Sequence, residues 1–193
     1  MDYKVILGAI GVVFSLSAYV VYVKDIFVHK TKPHAFSWLI WGMLAGISFA
    51  AQQWGDAGAG SWVTFTDTFF CMIIFAVALH RGQKNYTTFD WIALALAGVA
   101  LLLWWITKTP TASIILIVFV DFFGFLPTYR KSFHNPWEES MSMYVLSICK
   151  YSAALLATSS YSIATSLYIG SIIPMNIVLI IIILIRRRGL KRG

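Results

Sequence analysis

Three charged side chains, Asp67, Asp121 and Lys150, stand inside long apolar stretches of a 193-residue chain. A charge at the centre of a bilayer costs ~2.5 to 3.5 kcal/mol on insertion scales, so such groups face an interior and pair with one another. Two acids and one base suit a central site in which one carboxylate titrates, coupling proton binding to alternating access. The same trio suits a static salt bridge that locks two helices, where removing one partner costs ~3 to 5 kcal/mol. With seven apolar windows read as helices rising 1.5 Å per residue, Asp121 lies roughly 15 Å into the fifth and Lys150 about as deep in the sixth. Matching depth makes an Asp121–Lys150 ion pair feasible, with a functional and a structural reading both open. Asp67 has no evident partner in its own bundle.

The surrounding residues sharpen this set without closing it. Thr64, Asp67 and Cys71 share one helical face, and Ser147, Lys150, Ala154 and Ala157 form a small, polar stripe on another. A lined cavity needs such stripes, and so does close helix packing. Trp41, one turn inside its helix, is placed to stack on a sugar or ring, whereas the other tryptophans suit an interfacial belt. Pro127, with Gly124 one turn earlier, and Pro174, near Asn176, each remove a helix hydrogen bond and mark either a gating hinge or a fixed kink. Gly42-x-x-x-Gly46 reads as a helix-contact motif. His29, His34, His80 and His134 lack metal-ligand spacing, and Cys71 and Cys149 fall inside apolar stretches, so no metal, cofactor or disulfide is expected. The apolar stretches hold no His, Glu or nucleophile–base pair, which argues against an enzyme.

The elements that must carry these residues follow from composition. The chain is 59% hydrophobic and 12% charged, with a mean hydropathy of +0.76, against roughly 25% charged residues in soluble domains. Spans of about 20 apolar residues run from Val5 to Val23, Ala35 to Trp54, Ser61 to Leu79, Trp91 to Thr107, Ala112 to Thr128, Met141 to Thr158 and Ala164 to Ile185. Continuous apolar runs favour helices over barrel strands. The first run has no small-residue cleavage site after it and is expected to remain as a helix. If loops alternate sides, Lys4 and Lys108 fall on one side and twelve of the other basic residues on the opposite side, which predicts N-out and C-in. The formal net charge of +7 is then explained by span ends rather than by nucleic-acid binding, and the Arg186–Arg192 tail by a flank on lipid headgroups. The Asn85-Tyr86-Thr87 sequon faces the cytoplasm in this topology.

A weak internal repeat appears when the first three spans are set against the last three. Val21-Tyr22-Val23-Lys24 lies opposite Pro127-Thr128-Tyr129-Arg130, His29 and Pro33 opposite His134 and Pro136, and both copies end in Arg-Gly-x-Lys, at Arg81-Gly82-Gln83-Lys84 and Arg188-Gly189-Leu190-Lys191. Parallel repeats need a connecting helix that crosses the membrane, and such repeats belong to transporters that hold substrate near the midplane. On these features the chain resembles the SWEET and PQ-loop superfamily, built as three plus one plus three helices. Leu126-Pro127-Thr128 and Val20-Val21-Tyr22 stand at the two Pro-Gln positions, and Pro174-Met175-Asn176 looks like that superfamily's pocket asparagine, with Asp67 the polar residue of the first bundle.

The resemblance implies an all-α membrane protein of seven transmembrane helices: two parallel three-helix bundles, 5–84 and 111–191, joined by a linker helix, 88–108, in a single membrane domain, 1–193. It implies alternating-access transport of a small polar solute, with proton coupling as an option, since members of the superfamily use intramembrane acids in this way. The expected substrate-binding residues are Asp67, Asp121, Lys150, Asn176, Trp41 and Ser147, and the expected gating residues are Pro127, Pro174 and Gly124. A seven-helix receptor that holds a chromophore or ligand through Lys150 is the alternative. The expected surroundings are a lipid bilayer in a prokaryotic plasma membrane, with homo-oligomerisation left open.

Overall fold

The computed structural model describes residues 2–28, 33, 35–82, 88–107, 109–134, 136–138 and 141–189. His29, His34, the 85–87 sequon, Lys108 and the Lys84 and Lys191 ends of the repeat lie outside the described residues. The described residues form seven α-helices: α1 (Tyr3–Phe27), α2 (Ala35–Trp54), α3 (Trp62–Arg81), α4 (Thr88–Thr107), α5 (Pro110–His134), α6 (Met141–Ala157) and α7 (Ile163–Gly189). Short 3-10 turns at Gly58–Ser61 and Pro136–Glu138 precede α3 and α6.

Among the described residues, four segments are long and apolar enough to cross a membrane: Tyr3–Phe27, Ala35–Trp54, Gly58–Arg81 and Ile163–Gly189. Counted over the described residues alone, the other helices carry shorter apolar runs, Leu94–Thr107, Pro110–Leu126 and Met141–Ala157. α6, with its 17 residues, reaches only about 26 Å at 1.5 Å per residue. Several helices outrun their apolar windows: α1 continues through Lys24 and Asp25, and α5 through Arg130 and Lys131. Charged residues can prolong a helix beyond the apolar stretch, so hydropathy marks the apolar part and not the helix end.

Side-chain contacts fix the directions. Tyr19 on α1 reaches Asp67 on α3, and Arg81 lies 5.0 Å over the Phe27 ring, so α1 and α3 run together. Tyr129 bonds Met175, and Arg186 bonds Phe133, so α5 and α7 do as well. Lys24, Arg81, Arg130 and Arg186–Arg188 therefore gather at one end, the basic end. α3 sits between α1 and α2, and α7 between α5 and α6, while α6 lies along α1 and α2 along α5. α4 packs on α2 and α5.

Small residues permit the closest of these approaches. α1 buries Gly8, Gly11, Ser15 and Ala18 on one stripe, and a Cβ at Gly8 would lie 2.7 Å from the Ala59 carbonyl oxygen. Gly42 and Gly46 on α2 face Met72, Cys71 and Thr68 of α3, as a helix-contact motif should. The outward faces are apolar: Val13 and Val20 on α1, Phe65 and Phe69 on α3, Ile106 on α4 and Ile185 on α7 are all exposed.

Candidate functional site

A cavity of about 110 Å³ lies between the helices, lined from each of them except α4. Its wall is a set of helical stripes three or four residues apart. α2 gives Trp38, Trp41 and Ala45; α5 gives Asp121, Phe125 and Thr128; α6 gives Tyr144, Ser147 and Tyr151; α7 gives Tyr168, Ile172 and Asn176. α1 adds Tyr19, and α3 adds Asp67 and Cys71. Met143, Tyr144 and Thr128 carry the cavity toward the basic end.

Asp67 is the hub. Ser15 Oγ, Tyr19 Oη and Lys150 Nζ donate to Oδ1 at 2.7, 3.0 and 2.7 Å, and Tyr151 Oη donates to Oδ2 at 2.6 Å. Lys150 Nζ also lies 5.1 and 4.8 Å from the ring centres of Tyr19 and Tyr151, a cation–π arrangement. Asp67 and Lys150 are 2% and 6% exposed, so the desolvation of both charges is offset only by this ring of donors. The pair joins α3 to α6.

This corrects the expected ion pair: Lys150 pairs with Asp67, not Asp121. Depth alone allowed either acid. The direction around the helix decided it, because α6 packs on α1 and α3, whereas the backbones of α5 and α6 make no close approach among the described residues. Asp67, expected to lack a partner in its own bundle, has Ser15 and Tyr19 there.

Asp121 is placed differently. It is 2% exposed, receives the Trp41 indole N–H, and has no cation paired with it among the described residues. Trp41 packs edge-on against Trp38, with ring centres 5.3 Å apart. Asn176 is buried, donates Nδ2 to the Ile172 carbonyl at 2.8 Å, and lines the cavity, as does Ser147.

The remaining expectations divide by location. The α6 stripe serves both purposes proposed for it: Ser147 and Lys150 line the cavity, while Ala154 packs beside Gly60. Thr64 turns away from the cavity and donates to Gln52 Oε1 at 2.6 Å. Pro174 stands inside an unbroken α7, and Gly124 has open space where a Cβ would go. α5 runs through Pro127, whose side chain is outside the described set. His80 and His134 are exposed. Among the described residues, no group of His, Cys, Asp or Glu is arranged to hold a metal ion.

Away from the basic end the bundle is shut. Lys4 Nζ donates to the carbonyls of Thr158 and Ser159 at 3.0 and 3.4 Å, and the Ser159 N–H to the Ala57 carbonyl at 2.9 Å. Gln52 Nε2 donates to the Thr165 carbonyl at 3.1 Å. A Cβ on Gly60 would stand 2.8 Å from Thr158 Cα and 2.9 Å from the Ala154 carbonyl oxygen, so only glycine fits. Each of these contacts joins the α1–α3 part to the α6–α7 part.

Tyr19, Tyr151 and Tyr168 belong to this site, although as uncharged residues inside apolar stretches they have no charge to mark them in the sequence. Their spacing was a usable signal. Ser15 and Tyr19 repeat at four residues, as do Tyr168, Ile172 and Asn176. Compared with known proteins, the chain matches no family model, no curated protein and no solved structure.

Proposed function

We propose that the chain is a seven-span membrane protein, N-out and C-in, that moves a small polar solute by alternating access through the cavity around Asp67, Lys150 and Asp121. One observation carries this reading: a charged cavity between the helices, built from both halves of the chain, reaching toward the basic end and shut off at the other. A single fixed bundle has no need of a cavity that contains a carboxylate without a counterion.

The helix packing supports a three-plus-one-plus-three reading. With α1, α2 and α3 set against α5, α6 and α7, the packings of α3 with α1 and α2 have counterparts in those of α7 with α5 and α6. The packings of α6 with α1 and α3 likewise correspond to those of α2 with α5 and α7. α4 is left over, as a linker would be. This arrangement agrees with the SWEET and PQ-loop resemblance. The apolar outer faces suit lipid, and the basic end suits the cytoplasmic side of a prokaryotic plasma membrane. In the conformation described, the cytoplasmic side is the one the cavity approaches. Asp121 is the carboxyl whose proton can exchange without breaking an ion pair, which makes it the candidate for coupling. Lys150 is engaged by Asp67, which speaks for a positioning role and against a chromophore linkage.

The test is uptake of labelled small solutes into proteoliposomes, with and without a pH gradient, for wild type and Asp121→Asn. Saturable uptake by wild type that the variant loses supports the proposal. Absence of saturable uptake or exchange for every solute that binds the purified protein overturns it.

A further inference from the structure

The cavity's charges do not balance. With its acids ionised, Asp67 and Lys150 cancel, and Asp121 leaves one negative charge on the cavity wall. Asp121 is 2% exposed and accepts the Trp41 indole N–H, with no cation paired with it among the described residues. Aromatic rings make much of the wall around it: Trp38, Trp41, Phe125, Tyr144 and Tyr168 line the same space. Lys150, the cation within reach, is held 2.7 Å from Asp67.

A buried carboxylate among aromatic rings is complementary to a cation whose charge is spread over apolar groups, since such a cation gains from both the anion and the ring quadrupoles and gives up little hydration on entering. A volume of about 110 Å³ holds roughly seven to ten water-sized probes, which sets the size at a molecule of about that many heavy atoms. We infer that Asp121, with Trp38, Trp41, Phe125 and Tyr168, forms a binding site for a small organic monocation of the substituted-ammonium class. The inference deepens the transport reading by naming its substrate class, but binding itself does not depend on transport.

The experiment is calorimetric titration of the full chain in lipid nanodiscs with choline and tetramethylammonium, beside dimethylbutanol, the uncharged carbon isostere of choline. The expected result is saturable binding of the cations and none of the isostere at equal concentration. Asp121→Asn should weaken cation binding at least about 30-fold, and Asp121→Glu should restore most of it. Trp41→Leu should weaken it while Trp41→Phe retains it. Gel filtration and helix content of each variant confirm folding. Equal binding of the isostere, or unchanged affinity in folded Asp121→Asn, overturns the inference. If cations bind through Asp121 but no vesicle uptake occurs, the transport proposal fails and the site stands; if vesicles take up only neutral solutes, the reverse holds.

Discussion

The two acids of the cavity are chemically alike and differ in what surrounds them, which assigns them different work. Asp67 accepts four hydrogen bonds, one of them from Lys150, so Asp67→Asn leaves a buried ammonium without its anion. That substitution should cost about 3 to 5 kcal/mol in reversible unfolding, and Lys150→Met a similar amount. The double variant should recover part of the loss, because both charges leave together. Tyr151→Phe should cost about 1.5 to 3 kcal/mol, the net value of one hydrogen bond to a charged group. Asp121→Asn keeps an acceptor for Trp41 and strands no cation, so it should lose at most about 1 kcal/mol while abolishing uptake. Equal destabilisation by Asp67→Asn and Asp121→Asn would show that both acids are merely structural. The presence of all three charges in the interior was legible from their apolar neighbourhoods, because the insertion cost allows no other explanation. Which acid meets Lys150 was not, since rise per residue gives depth but packing direction depends on which helices become neighbours.

At the scale of elements, the closed end is made by backbone contact more than by side chains. Gly58 adopts a φ of +61° and Asp56 one of +54°, conformations open to glycine and tolerated by aspartate. They bring the 58–61 turn against α6. Gly60→Ala forces a methyl group into the Thr158 backbone, so this end cannot shut as described. The expected outcome is increased labelling of a cavity cysteine from that side, with the basic-side labelling little changed; unchanged labelling on both sides would remove the turn from the gate. Pro174 offers a second lever. Pro174→Ala restores the hydrogen bond to the Gly170 carbonyl and should slow uptake while leaving binding intact, if bending of α7 matters. Helix positions were readable from apolar windows and the Gly42–Gly46 motif from its spacing. The 58–61 turn was not, because Gly58 and Gly60 look like ordinary loop glycines until α6 is known to lie against them.

For the whole molecule, the order of helices around the cavity matters more than their number. The repeat was faint in the residues because the two halves share shape and not chemistry: α3 contributes Asp67 where α7 contributes Tyr168 and Asn176. The apolar windows of the sequence number seven, and among the described residues four of the helices are long and apolar enough to cross a membrane. Sidedness rests on the basic ends of α1, α3, α5 and α7, and it can be measured together with the central claim. A single cysteine at Ser147→Cys, with Cys71 and Cys149 replaced by alanine, should react with a membrane-impermeant maleimide from the cytoplasmic face and not from the outer face. Bound solute should protect it, and a solute gradient from outside should expose it to outer reagent. Reaction from neither face, or from the outer face alone in the absence of solute, would contradict a cytoplasm-facing transport cavity.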